Sequence, residues 1–292
     1  MMIRLNKIQK GILLAFVGVM IMTPDTLLIR MVSLDIWSLL FYRSLLPALA
    51  LFLGYLVLFQ RRTFNDFYNM GVPGIMNALC VLGANITFIF ALANTNVANV
   101  LIMISLVPLT AALFSSVFLK EKPLVITWIS MFACLLVVIF IFYESYAMGR
   151  ILGDFLALLG ACFVGASLTV IRSYNEINFV PSYILGKSFT ALFALPFAAT
   201  FVITGFDLLF TSLMIITVGL SFVFISLAPQ YISSPEVGIF FLLETVLGPL
   251  WVWLFISEEP TANTLIGGAL IILIILCHSL YMINKEKRKI IL

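Results

Sequence analysis

Charge is the scarce ingredient of this chain. Its 292 residues include 16 Lys and Arg and 13 Asp and Glu, 10% of the total, where soluble proteins average about 25%. With 63% hydrophobic residues, too few polar side chains remain to wet a large soluble domain. The chain therefore reads as an all-α integral membrane protein. Histidine is almost missing: His278 stands alone, with no Cys or His cluster to hold a metal. The cysteines Cys80, Cys134, Cys162 and Cys277 lie in apolar runs and form no C-x-x-C, the pattern of small buried hydrophobes. No basic stripe with interleaved aromatics is present, so nucleic acid is not an expected partner. No G-x-x-x-x-G-K-[ST] occurs, so ATP-driven pumping would need a separate subunit. Neither a cofactor nor a metal is expected.

What the chain has in abundance is long apolar runs. Ten can be laid out, at roughly 11–31, 36–59, 72–94, 97–119, 124–143, 151–171, 180–203, 211–231, 234–256 and 262–283. Each approaches the length needed to cross a hydrocarbon layer of about 30 Å. The N-terminus, with Arg4, Lys7 and Lys10 before the run from Gly11 to Met22, resembles a signal peptide. It lacks a small-x-small cleavage site and is read as an uncleaved first span. Pro73, Pro123, Pro181, Pro235 and Pro260 sit at helix starts, where a missing N–H is harmless. Pro24, Pro47, Pro108, Pro196, Pro229 and Pro249 fall inside spans or near their ends, where each removes a backbone bond.

Two stretches share one design. Ser233 to Pro260 and Asn96 to Pro123 superpose when shifted by 137 positions, placing Pro123 on Pro260, Glu121 on Glu258 and Pro108 on Thr245. The chain thus divides into halves at 1–145 and 146–292, each with five spans. An odd number forces the second half into the membrane upside down, the inverted repeat of secondary transporters. Cationic residues set the orientation. Twelve of the 16 Lys and Arg fall in segments on the N-terminal side, two (Arg30 and Arg150) in opposite loops, and two (Arg43 and Lys187) within spans. Both termini are expected in the cytoplasm of a multi-pass protein of the cell (inner) membrane.

These motifs resemble the EamA family of the drug/metabolite transporter superfamily. The string L-L-E-T-V-L-G-P-L-W-V-W-L-F-I-S-E-E-P is similar to the second-repeat pattern, and F-Y-R with S-L-V-P-L-T-A-A-L-F-S-S-V-F-L-K-E is similar to the first. In this chain Thr245 stands where the family pattern has a proline directly after the glutamate, and Pro249 follows one turn later. The resemblance covers nearly the whole length and implies two intertwined five-helix halves around a cavity lined by spans one, three, four, six, eight and nine. It also implies carriage of a small organic metabolite, with amino-acid export as the leading expectation. Import of another metabolite and drug efflux are alternatives on the same fold.

Within the spans a few residues invite a chemical reading. Glu244 lies mid-span with Leu247, Gly248 and Trp251 on its face; it lines a cavity or bonds neighbouring helices. Arg43 must meet an anion, water or a carbonyl, because an uncompensated charge in the bilayer costs a few kcal/mol. Lys187 is expected to snorkel to the nearer headgroup layer. Asn77 and Asn85 share one side of the third span and either face a cavity or bond across helices. Asp25, after Pro24, is either a transport proton site or a solvated helix end. Tyr42, Phe88, Phe240, Trp251 and Tyr231 could flank a pocket. The combination suggests a small zwitterion, its carboxylate toward Arg43 and its amine toward Glu244. Pro108 and Pro249 are expected hinges. Partners reduce to a small-molecule solute and the lipid bilayer, with a homodimer left open. A lipid-modifying membrane enzyme would need a His, Asp or Glu cluster and a substrate loop, and the chain has neither.

Overall fold

The computed structural model describes residues 7–120, 125–174, 176–232 and 234–291. The expected loop residues Glu121 and Pro123 lie outside the described residues. The chain opens with α1 (Lys7–Met22) and α2 (Asp25–Met31), split by Pro24. The third helix, α3 (Ile36–Phe59), starts at Asp35, whose side chain accepts the N–H groups of Trp37 and Ser38 at 3.1 and 3.0 Å, satisfying orphan donors of its first turn. Pro47 sits inside it without ending it. A short polar helix not expected from the sequence, α4 (Arg62–Asn69), precedes α5 (Gly71–Asn94).

The fourth apolar run is broken into α6 (Val97–Ile104) and α7 (Val107–Phe118), with Pro108 in the first turn of α7. Pro108 cannot bond the carbonyl of Ile104, so the ladder stops there. Next come α8 (Val125–Ala147), α9 (Ile151–Ser173) and α10 (Val180–Ala194). The seventh run was expected to stay helical to 203. It instead ends in a 3-10 turn, Leu195–Phe197, around Pro196, followed by extended chain. The eighth run joins α11 (Gly205–Met214) to α12 (Ser221–Leu227) through a π-helical segment, Ile215–Leu220. Two helices close the chain, α13 (Ser234–Ile256) and α14 (Ala262–Ile291). The α13 helix runs continuously through Pro249, whereas Pro108 coincides with a break.

No strand occurs among the described residues. Among the described residues, seven helical segments are long and apolar enough to cross a membrane: Ile8–Met31, Ile36–Phe59, Gly71–Asn94, Val97–Phe118, Ile151–Ser173, Gly205–Gln230 and Glu236–Ile256. Trp128–Phe140 and Ala262–His278 are shorter apolar helices. The molecule is a multi-pass membrane protein.

Lipid-like surroundings give apolar side chains no reason to prefer one another, so helices associate where small residues let backbones touch. Gly11 of α1 packs on Tyr231 and Ile232, and Gly153 of α9 packs on Asn94 and Thr95. A Cβ added to Gly238 of α13 would stand 2.9 Å from the Cα of Pro108. Across the same crossing, Thr245 donates its hydroxyl to the carbonyl of Leu101 at 3.0 Å and to that of Phe241 at 3.1 Å. Residues Ile129, Phe132 and Leu136 of α8, like Leu265, Ile266 and Leu273 of α14, are exposed. These two helices pack on each other at the flank of the bundle.

Candidate functional site

Pro24 ends α1 and lets the chain restart as α2 with Asp25 in its first turn, where the helix dipole favours a carboxylate. Asp25 is buried, 1% exposed, as is Arg43 of α3 at 4%. The Arg43 Nη2 and Asp25 Oδ2 atoms pair at 2.5 Å. The π segment carries Thr217 inward, and its hydroxyl donates to Asp25 Oδ1 at 3.3 Å. π-bulges recur where a helix must present a side chain out of register.

Asn85 of α5 is the hub of this cluster. Its Nδ2 donates to the carbonyl of Val81 at 2.7 Å, one turn back. That bond turns Oδ1 toward two cations, Arg43 Nη1 at 2.9 Å and Lys187 Nζ at 2.5 Å. Arg43 also lies over the Phe88 ring, 5.3 Å from its centroid. Lys187 does not snorkel, contrary to expectation: it is 0% exposed. Gly186 is the reason, for it brings α10 so close to α5 that an added Cβ would be 2.7 Å from the carbonyl oxygen of Ala78.

Beside the cluster is a small void lined by Met22, Asp25, Arg43, Asn85, Phe88, Ile104, Phe241 and Glu244, among others. A second small void shares Ala84, Asn85, Val164 and Phe222 with the first and adds Asn77, Cys80, Ser167, Tyr183 and Ser226. No residue of α8 or α14 lines either. Glu244 is 3% exposed and is joined by no hydrogen bond or ion pair to any described residue. Its carboxylate is the one acid of the cavity wall that the fold leaves without a partner among the described residues.

Five of the expected pocket residues are therefore brought to one place: Glu244, Arg43, Asn85 and Phe88 around the first void, and Asn77 at the second. Asn77 is already occupied, donating to Ser182 Oγ at 2.7 Å and accepting from Ser167 Oγ at 2.6 Å. Tyr42, Phe240 and Trp251 stand outside the lining. Phe241 takes the place expected for Phe240, since one residue rotates a helix face by about 100°. The Trp251 indole N–H donates to Thr23 Oγ1 at 3.3 Å. Arg43 and Tyr183 also bring the second and seventh runs to the wall, beyond the six expected. Asp25, expected as a transport proton site or a solvated helix end, is not solvated: it is buried against Arg43. Thr217 had no sequence signal, because its position depends on the π segment.

A polar network joins α2, the α5–α6 turn and the chain after α13. Arg30 Nε pairs with Glu258 Oε2 at 3.1 Å, and Arg30 Nη2 donates to the carbonyl of Thr95 at 3.1 Å. Glu258 Oε1 accepts the N–H of Val97 at 2.9 Å, capping α6 where its dipole favours an anion. Arg150 Nη1 adds a 2.7 Å bond to Asn96.

Residues 9–143 match the EamA-like transporter family. The pseudopaline exporter CntI, from two strains of Pseudomonas aeruginosa, is 27% identical over 290 residues, covering 92% of this chain and 95% of the relative. A solved crystal structure at 18% identity superposes with a TM-score of 0.70, covering 94% of this chain and 98% of the other, and shares the fold. These likenesses point to a transporter rather than an enzyme.

The buried pair gives a direct test of how the cluster is held. Arg43→Met strands the Asp25 carboxylate, which should cost about 3–5 kcal/mol and appear as a large drop in melting temperature in mild detergent. Adding Asp25→Asn should recover most of the loss. A double variant no more stable than Arg43→Met would contradict the pairing.

Proposed function

We propose that this protein is a secondary exporter of a small organic metabolite that carries an amine, an amino acid or related zwitterion, working by alternating access. The observation that carries this reading is Glu244, an unpartnered carboxylate in the wall of a central cavity inside a transporter fold. A buried anion without a counter-charge is costly, and a solute ammonium would offset that cost. Arg43 is already committed to Asp25 and Asn85, so Glu244 is the group left for recognition. Phe88 and Phe241 supply apolar wall for a side chain. The similarity to an exporter supports outward transport.

The architecture we infer has ten spans in two inverted halves, 1–145 and 146–292, with both termini in the cytoplasm of the inner membrane. Reciprocal contacts support it. Under the 137-position shift, Asn94 and Thr95 fall on Tyr231 and Ile232, Leu101 on Gly238, and Pro108 on Thr245. Gly11 packs on Tyr231 and Ile232 and Gly153 on Asn94 and Thr95, a parallel in which the two glycines are 142 positions apart rather than 137. Gly238 on Pro108 is the counterpart of Thr245 on Leu101. In this reading the end tied by Arg30 and Glu258 faces outward, and the crossing at Pro108 and Gly238 is where the halves rock. The break beside Pro108 is the softer point, because α13 stays continuous at Pro249.

Uptake into inside-out vesicles tests both claims with a panel of labelled amino acids and amines. Glu244→Gln should fold normally and lose at least tenfold in transport of amine-bearing solutes, about the value of one charge-assisted hydrogen bond. Undiminished transport by this variant would overturn the amine assignment. Pro108→Ala, which restores a donor to the carbonyl of Ile104, should slow turnover several-fold more than Pro249→Ala. Equal turnover in the two variants would remove the hinge at Pro108.

A further inference from the structure

The charges of the central cluster do not balance locally. Asp25 answers Arg43, but no ion pair joins Lys187 to an acid among the described residues. Lys187 has three N–H donors and one hydrogen bond, to Asn85 Oδ1; its ammonium also lies over the Tyr183 ring, 5.7 Å from the centroid. The same amide oxygen also accepts from Arg43, so two cationic groups converge on one neutral acceptor. Asn85 lines both voids. Tyr183, one turn before Lys187 and on the same face of α10, lines the second void, which Glu244 does not touch. Lys187 itself lines neither void; it bonds to Asn85, which lines both.

We propose that Lys187, reached beside Asn85, is the anchor for the carboxylate of the solute and so the residue that makes the carrier prefer amino acids over simple amines. The proposal rests on the reading of Glu244 as the amine site and assigns the other end of the same solute. An arriving carboxylate would take the donors that Asn85 cannot satisfy and relieve the crowding at its Oδ1. Arg43 is excluded from that role by Asp25, which revises the orientation expected from the sequence. Gly186 is the positioning residue, because it holds α10 against α5 and so brings the ammonium to Asn85.

The test compares each common amino acid with the amine that remains when its α-carboxyl is replaced by hydrogen, using thermal shift and titration calorimetry on the purified full-length protein. For the amino acid bound best, wild type should prefer it over its amine by about tenfold or more. Lys187→Gln keeps a donor for Asn85 and removes the charge, and Lys187→Met removes both; each should bring that preference close to one, while Lys187→Arg should retain it. Wild type that binds the amine as tightly as the amino acid would overturn the proposal while leaving the Glu244 reading standing, and this arm needs no variant. Retained preference in Lys187→Gln would also overturn it. Stabilisation by chloride alone, lost in Lys187→Gln and without any carboxylate preference, would assign the seat to a free anion instead. Absence of binding by every amine and amino acid would overturn the amine reading and this proposal together.

Discussion

A guanidinium in the hydrocarbon layer must be met by an acid or it will not stay there, and most of this architecture can be read from how Arg43 is met. Its partner Asp25 comes from a helix restarted by Pro24, and Thr217, which steadies Asp25, comes from a helix wound locally into a π segment. Asn85 adds a third helix and Lys187 a fourth. Removing any one of these distortions would leave a buried charge or a buried donor unanswered. The ion pair and the hydrogen bonds around it thus join α2, α3, α5, α10 and the π segment, and irregular backbone is tolerated inside a membrane where protein buries it.

Because Asp25 neutralises Arg43, the cavity has a definite chemical character. The acid of the wall left without a hydrogen bond among the described residues is Glu244, with Phe88 and Phe241 lining the same void, and Lys187 stands one bond behind Asn85. A pair of opposite charges held apart by the fold cannot collapse on itself, and a solute of matching polarity can complete it. At the other level of structure, glycines such as Gly186 and Gly238 do what oil cannot do in lipid: they let backbones meet, so that contact geometry rather than hydrophobicity decides which helices are neighbours. Arg30, Glu258 and the α6 N-terminus tie one end of that arrangement together.

The membrane class and most of the helical runs were legible in the sequence because they depend on local properties: apolar length and proline at helix starts. Glu244, Arg43, Asn85 and Phe88 could be singled out because polar or aromatic residues in a span stand out against their surroundings. What could not be read were relations between helices. Lys187 was assigned to the headgroups on its distance from a helix end, but the glycine beside it pulls the helix inward. Phe240 and Phe241 differ by one position and cannot be told apart until helix rotation is known. Proline alone did not reveal that the backbone would break near Pro108 and continue past Pro249, since neighbouring turns decide whether a lost bond is absorbed.

The central claim is that the charged cluster lines a path open to solute and is not a sealed structural core. Cys80 offers a direct probe, since it lines the second void beside Asn77 and Asn85, while Cys134 is buried elsewhere. In a protein retaining Cys80 as its sole cysteine, a membrane-impermeant maleimide should label that thiol from the cytoplasmic face of inside-out vesicles. A transported amine-bearing solute should slow the labelling in proportion to its occupancy. Labelling from neither face, or labelling indifferent to a solute that is demonstrably transported, would contradict the account.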